Sequence, residues 1–198
     1  MNVPVAGPGR VARSCLPAAR RVRKRDTVAV TSYRDELDWA YHGEVIGEAM
    51  FGAMAEAAGD PRRAAQMGLL ALIERQTKEQ LAPLLERDGI VRHDEPYEAK
   101  GRALGERANR PSWDWERFLR TFEPTTQPAL VRYRWMRDEL APEGDAQQMR
   151  SLVAHEEVLQ AFADALLGGE LDPARGLVGA LEGEHRAEAD KLLGGLAD

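Results

Sequence analysis

The stretch YHGEVIGEAMFG, residues 41–52, decides how the first long helix of the chain is interpreted. Its apolar residues belong to a seam at 4-3-4 spacing that starts at Leu37 and includes Phe51, as is typical of the inner face of a bundle helix. Glu44 and Glu48 occupy positions on the same seam. Two carboxylates therefore interrupt a surface that should be buried, and they need a partner that makes burial tolerable.

Composition indicates one well-buried domain that does not cross a membrane. The chain has 198 residues, of which 43% are hydrophobic and 30% are charged, a balance that fits a globular protein. Its apolar runs are shorter than the roughly 18 residues that span a bilayer. The single cysteine, Cys15, cannot form an internal disulfide. We therefore expect a cytoplasmic protein with no membrane partner.

The charge is divided unevenly between an N-terminal tail and an acidic body. Residues 1–30 carry seven basic residues and one acidic residue, which leaves residues 31–198 with a net charge of −12 in a chain whose total is −6. The acidic body argues against a nucleic-acid partner. The tail contains prolines and no apolar period, which is typical of disorder. A targeting peptide and a contact arm for an acidic partner stay open as roles for it.

Four long segments of the body carry a helical period, and no alternating run predicts a strand. The first begins near Ser32, a good N-cap, and the second has Pro61 in its first turn. The loop between them has about three residues, which predicts an antiparallel hairpin. The predicted helices cover residues 32–58, 61–87, 144–167 and 173–194.

A long crossover, residues 89–143, separates the second and third helices. It contains five prolines and three of the four tryptophans. Clusters of aromatic and aliphatic residues predict short helices at 112–122 and 128–140, so the segment should be structured. The element order is hairpin, long crossover, hairpin. The fold class is therefore predicted to be all-α, an antiparallel four-helix bundle over residues 31–198.

Each of the four long helices carries a carboxylate on its inward seam near its midpoint. Because an α-helix rises about 1.5 Å per residue, these side chains lie within about 5 Å of the middle of their helices and should share one layer. Glu157 is an alternative to Glu156 on the third helix. His42 and His155 fall beside the seams and are interpreted as exposed or as neighbours of the layer. The residues of the layer are Glu44, Glu48, Glu74, Glu156 and Glu182, with His185 three residues after Glu182.

Five carboxylates in one buried layer require neutralisation, because even one unpaired buried ion costs several kcal/mol. The seams supply no inward lysine or arginine at this height, since Arg75, Lys78, Arg150 and Arg186 all lie off them. Two divalent cations would bring four positive charges. A ligand set rich in carboxylates and poor in imidazole favours iron or manganese over zinc.

These residues resemble the ligand set of the ferritin-like di-iron carboxylate superfamily, over about residues 32–194. That superfamily uses a four-helix bundle with a long crossover between helices 2 and 3, a glutamate from helices 1 and 3, and a Glu-x-x-His pair from helices 2 and 4. In this chain, LEGEHRAEAD supplies Glu182 and His185, VAHEEVLQAF supplies Glu156, YHGEVIGEAM supplies Glu44 and LALIERQTKEQL supplies Glu74. Thr77 stands where the pair on helix 2 should have its histidine.

The resemblance implies a ferritin-like fold that holds two iron ions, with manganese as an alternative metal. It also implies an oxidase or hydroxylase that uses O2 on an unknown small-molecule substrate, and it leaves room for a homodimer. Glu48 would complete the ligand set that Thr77 leaves short, while Tyr41 and Thr77 would pack in the core or contact the ligands, and would not bind the metal. Two other functions stay open: iron handling as a ferroxidase or storage protein, and a metal-free helical interaction protein.

Overall fold

The computed structural model describes residues 31–108, 115–170 and 173–195, which form helices and turns without a strand. The prediction of an all-α protein is confirmed. The predicted basic tail, residues 1–30, lies outside the described residues. Among the helices that the structure describes, none combines the length and the apolar composition needed to cross a bilayer.

Eight α-helical segments follow one another along the described residues. Their bounds are α1 Tyr33–Glu56, α2 Pro61–Arg87, α3 Asp94–Ala108, α4 Trp115–Leu119, α5 Phe122–Trp135, α6 Ala146–Leu167, α7 Arg175–Ala180 and α8 Gly183–Gly194. A π-helical turn, Met136–Leu140, extends α5, and a 3-10 turn, Glu143–Asp145, leads into α6.

α1 and α2 form the antiparallel hairpin that the sequence predicts. Ser32 caps α1 as expected: its hydroxyl accepts from the N–H of Asp35, and the Asp35 carboxylate accepts from the N–H of Ser32. Arg34, at the start of α1, donates to the backbone carbonyl oxygens of Asp88 and Gly89, just after the end of α2. The start of one helix therefore lies beside the end of the other.

α3 is a helix that the sequence analysis did not predict, because its proline and glycines made the segment look irregular. Pro96 lies in the first turn, where its missing N–H has no intrahelical partner to lose. Gly101 and Gly105 face α1: a Cβ on them would lie 2.3 Å from the Ile46 carbonyl oxygen and 2.4 Å from that of Met50. The glycines that weaken this helix in isolation therefore create the surface by which it docks on α1.

The rest of the crossover is structured, as predicted, although its helices begin at different residues. α5 starts at Phe122 and not at residue 128, and it contains Pro128 in its interior. It runs into the π-helical turn, which closes with the N–H of Ala141 donating to the Met136 carbonyl oxygen at 2.8 Å, so the predicted end at residue 140 is confirmed. Of the predicted helix 112–122, the structure describes a helix only from Trp115, as α4.

The predicted fourth long helix, residues 173–194, is broken. α7 ends at Ala180, and α8 begins at Gly183, whose φ of +51° is a left-handed conformation that interrupts an α-helix. Gln76 of α2 binds both sides of the break, because its Nε2 donates to the Ala180 carbonyl oxygen at 3.1 Å and its Oε1 accepts from the Glu182 N–H at 2.7 Å. Glu182 is therefore the N-cap residue of α8 and does not lie at mid-helix.

The apolar core consists of two clusters with buried polar residues between them. One cluster includes Leu37 from the start of α1 and Leu152 from the first half of α6. The other includes Phe51 from the second half of α1 and Phe162 from the second half of α6. The buried polar groups lie near the middles of α1, α2 and α6, so a polar layer separates the two clusters. Its acidic and imidazole side chains are Glu44, Glu74, His155 and Glu156.

Substitution Gly105→Ala tests the docking of α3 on α1. An added Cβ 2.4 Å from the Met50 carbonyl oxygen forces two backbones apart, so we expect a loss of about 2 kcal/mol in the free energy of unfolding. Gly52→Ala on α1 is the matched control, because nothing lies within 4 Å of its Cβ position; there alanine should stabilise the helix by about 0.5–1 kcal/mol. Urea denaturation of both variants measures the difference, and equal effects would exclude the close contact.

Candidate metal centre

Glu44 of α1, Glu74 of α2 and His155 of α6 form one buried group. One ligand atom from each residue lies within 4.8 Å of the others. His155 Nε2 lies 3.3 Å from Glu44 Oε2 and 3.4 Å from Glu74 Oε2. All three side chains are almost inaccessible to solvent. Two carboxylates and an imidazole at this spacing could hold a metal ion.

Gly47 makes room for the Glu74 carboxylate. A Cβ on residue 47 would lie 2.4 Å from Glu74 Cδ and 2.6 Å from each of the carboxylate oxygens, which is well inside van der Waals contact. Because Gly47 follows Glu44 by three residues, it lies on the same face of α1. The glycine therefore allows the α2 carboxylate to lie against the α1 backbone beside Glu44.

A short hydrogen-bond chain orients the His155 ring. Thr77 donates its hydroxyl to the Ile73 carbonyl oxygen at 3.1 Å, and the same hydroxyl oxygen lies 3.0 Å from His155 Nδ1. A threonine hydroxyl has one proton, so it accepts from Nδ1–H when it donates to Ile73. Nε2 is then the nitrogen that faces the two carboxylates, and in the neutral ring it carries the lone pair that ligates metals.

Tyr133 and Glu156 complete the polar layer. Tyr133 of α5 donates its hydroxyl to Glu44 Oε1 at 3.2 Å. Glu44 Oε2 and Glu156 Oε2 are buried and have no hydrogen-bond partner among the described residues. Buried carboxylate oxygens are normally hydrogen-bonded. These two oxygens are therefore the atoms that require a proton or a cation.

The carboxyl groups of the layer have raised pKa values. Burial raises the pKa of Glu44 well above its usual value, which His155 partly offsets and the charge of Glu74 reinforces. Burial has the same effect on the pKa of Glu74, and it raises the pKa of Glu156 to about 7, with a smaller rise from Glu44. Burial therefore favours the protonated form of these carboxyl groups when no cation is bound, and a cation would compete with those protons.

Glu48, predicted as a further ligand, pairs with cations of the chain instead. Its carboxylate accepts from Arg75 Nε at 2.7 Å and from Lys78 Nζ. Burial raises the pKa of Glu48, but the hydrogen bonds from Lys78 and Arg75 outweigh burial and lower it. Glu48 lies one helical turn, about 6 Å, beyond Glu44 along α1. At that level Arg75 and Lys78 of α2 reach its carboxylate.

Glu182 and His185, predicted as a ligand pair, lie in a separate group near the surface. Glu182 is exposed at the start of α8, and His185 Nε2 lies 3.3 Å from Glu79 Oε2. The prediction that Glu182 shares a layer with the other carboxylates assumed one continuous fourth helix. Gly183, with its left-handed φ, interrupts that helix. The structure therefore does not bring this pair to the buried layer.

Of the remaining predicted residues, some reach the buried layer and others do not. Glu156 is buried, whereas Glu157 is exposed and pairs with Arg134, so Glu156 is the inward residue of the two. Thr77 contacts the group through His155, as predicted. Tyr41 packs in the core, which was one of the two roles expected of it, and its hydroxyl donates to Asp94 of α3 at 3.0 Å.

His155 was predicted to be either exposed or a neighbour of the layer, and the structure buries it against Glu44 and Glu74. The predicted seam of α6 was a narrow stripe that included Leu152, Glu156 and Leu159. A second series, Leu152, His155, Leu159 and Phe162, is buried as well, because core helices of globular proteins bury a stripe wider than a coiled-coil seam. Phe162, seven residues after His155, was the sequence signal for that wider stripe.

Comparisons of this chain with protein-family models, with curated proteins and with solved structures found no match.

The raised carboxyl pKa values predict how the stability of the metal-free protein depends on pH. Glu156 has a pKa of about 7 in the folded state and 4.5 ordinarily, so the folded state holds a proton that the unfolded chain has released. The free energy of unfolding should therefore fall between about pH 5 and pH 8, by up to about 3 kcal/mol from Glu156 alone. Urea denaturation of metal-free protein across this range measures the slope.

Glu156→Gln should reduce this slope, and Glu157→Gln on the neighbouring exposed residue should leave it unchanged. Stability that rises with pH in the metal-free wild type, or equal slopes in both variants, would contradict the assignment.

Substitution Gly47→Ala should weaken metal binding by at least about tenfold, because it displaces the Glu74 carboxylate. Gly52→Ala, also on α1 but with open space at its Cβ position, should bind metal as the wild type does. Competition with a coloured chelator measures both affinities. Wild-type affinity in Gly47→Ala would show that the position of Glu74 is unimportant for binding.

Proposed function

We propose that the protein is a carboxylate-ligated iron or manganese protein of the ferritin-like kind, which uses its metal and O2 to oxidise a small molecule. The observation that carries the proposal is the buried group of Glu44, Glu74 and His155 in the middle of three helices. Two hard carboxylates and one imidazole suit iron or manganese better than zinc, which more often takes thiolate and imidazole. The order of a long hairpin followed by a structured crossover supports the ferritin-like assignment.

The unpaired oxygens of the layer are the reason for placing a metal there. Glu44, Glu74 and Glu156 carry three negative charges when ionised, and no described lysine or arginine pairs with them. Natural cores do not keep such a set for stability, because well-packed apolar residues would serve better. The donor set therefore fits a divalent cation.

The residues of the chain would prepare the site in specific ways. A bound iron ion would supply the binding and reduction of O2. Thr77 fixes the His155 ring with Nε2 towards the carboxylates. Tyr133 holds Glu44 Oε1 and, because burial and the nearby carboxylates raise its pKa well above its usual value, keeps its phenolic proton available beside the site. The apolar clusters above and below the layer separate it from bulk water on those two sides.

A two-ion centre, as in the di-iron members of the superfamily, is the second candidate. Glu156 favours it, because its Oε2 is buried without a partner. One divalent ion balances two of the three carboxylates, and the third requires a proton on Glu156 or a second ion. Glu182 and His185 would take no part in either form. Metal content decides: Glu156→Gln should keep the full metal content of a one-ion centre and lose about half of that of a two-ion centre.

Metal analysis of variants purified without O2 and reloaded with Fe(II) tests the proposal. Glu44→Gln, Glu74→Gln and His155→Ala should each lose most of the bound iron and the iron-dependent consumption of O2. Glu182→Gln and His185→Ala should retain both, because these residues lie outside the group. The metal-free glutamine variants should be at least as stable as the wild type, since they remove a buried carboxyl group.

Substoichiometric iron in the wild type that none of the three substitutions changes would contradict the proposal and favour a metal-free interaction protein. Iron loss confined to Glu182→Gln and His185→Ala would place the site elsewhere. Many iron atoms per chain in a shell-sized assembly, measured by light scattering, would favour iron storage.

A further inference from the structure

A cavity of about 330 Å³ lies against the polar layer, between α1 and the helices of the crossover. Its inner end is formed by Glu44, Glu74, Glu156 and Tyr133. At its outer end, Trp39, Gly43 and Thr125 are partly or fully exposed, so the cavity reaches the surface there. The rest of the wall is mainly apolar, with Ile46, Met50, Phe51, Leu104, Phe118 and Phe122. The two unpaired carboxylate oxygens belong to residues at its inner end.

The polar side chains along the wall are mostly occupied by contacts with the protein. Thr121 donates its hydroxyl to the Phe118 carbonyl oxygen at 2.6 Å, and Thr126 donates to that of Phe122 at 2.9 Å. A ligand would therefore find its polar partners mainly at the inner end, where Tyr133 and the carboxylates lie. The body of the ligand has to be apolar, because an unpaired polar group on it would be desolvated without a replacement bond.

Charge excludes anionic ligands. None of the described residues that line the cavity is a lysine or an arginine, and three of them are glutamates. The guanidinium of Arg132 stacks on the Trp39 ring at 3.8 Å near the mouth, but it is bonded to both carboxylate oxygens of Glu36. A carboxylate or phosphate inside the cavity would meet like charges and no free cation. A cationic group would compete with the metal for the same three carboxylates. A ligand that shares the cavity with a bound metal is therefore uncharged.

Volume sets the size of the ligand. An apolar cavity of about 150 Å³ holds one benzene molecule, so a cavity twice that size has room for two fused rings or one ring with a short alkyl chain. Five aromatic side chains line it, namely Trp39, Phe51, Phe118, Phe122 and Tyr133, and aromatic walls suit flat apolar molecules.

We infer that this cavity binds the organic substrate, and that the substrate is an uncharged, largely apolar molecule of about one to two rings whose reacting end lies at Glu44 and Tyr133. The inference rests on the proposed function, because the cavity ends at the group proposed to hold the metal. The metal site defines the chemistry, and the cavity defines which class of molecule reaches it.

Equilibrium dialysis with 2-naphthol and 2-naphthoate tests the inference on metal-free and Mn(II)-loaded protein. Both probes have the same two rings and differ in charge. One 2-naphthol should bind per chain, and 2-naphthoate should bind at least about tenfold more weakly, because its carboxylate finds no cation in the cavity. Mn(II) content is measured on the same samples.

Ala129→Phe, on the cavity side of α5, should fill the space and weaken 2-naphthol binding by at least about tenfold. Val131→Phe is the matched control, because it adds a ring on the same helix at a residue that is 58% exposed and outside the cavity wall. Thr125→Trp, at the exposed mouth, is a second blocking variant that does not disturb the core. Circular dichroism confirms folding of each variant.

The outcomes separate this inference from the proposed function. The cavity inference and the proposed metal function are both supported if the wild type binds Mn(II) and 2-naphthol and both blocking variants abolish 2-naphthol binding. Bound Mn(II) without 2-naphthol binding, or with tighter binding of 2-naphthoate, overturns the substrate class and leaves the metal site. Binding of 2-naphthol that Ala129→Phe and Thr125→Trp do not change places it elsewhere and overturns the inference. Selective 2-naphthol binding without Mn(II) supports the cavity and overturns the proposed metal function.

Discussion

The burial of several carboxyl groups at one level of the helical core is the constraint on which this structure depends. Glu44, Glu74 and Glu156 come from three helices and end in a layer that is closed by apolar clusters on both sides. Each buried charge without a partner would cost several kcal/mol. The chain retains the layer and fits its packing to it, since Gly47 leaves space for one carboxylate and Thr77 orients the imidazole beside it. Such an arrangement is costly for stability, and its buried group could hold a cation. A cation held there would lie at the inner end of an apolar cavity.

The all-α character and three of the buried carboxylates could be predicted because local signals mark where the long helices begin and end. Ser32 caps α1 and Asp60 with Pro61 starts α2, so the midpoints of these helices follow from sequence alone. A residue at the midpoint of each helix then shares a level with the others whenever the helices are of similar length. Glu44 and Glu74 meet for this reason, although they lie 30 residues apart in the chain.

The rest of the site depends on contacts that a single helix does not reveal. The helix break before Gly183 removes Glu182 from the layer. The break depends on the left-handed φ of Gly183 alone, and the helical period of the surrounding sequence does not reveal it. His155 lies on the edge of a buried stripe whose width depends on how many neighbours pack against α6. α3 is stable where it lies because Gly101 and Gly105 touch the backbone of α1, and in sequence those glycines indicate a break and not a contact surface.

Metal binding among Glu44, Glu74 and His155 is the proposal on which the assigned function depends. Crystals of protein loaded with Fe(II) or Mn(II), with diffraction data collected above and below the absorption edge of the metal, test it most directly. We expect an anomalous difference peak within bonding distance of His155 Nε2 and of oxygens from both glutamates. A peak at Glu182 and His185, or full metal loading in solution with no peak in the buried layer, would contradict it.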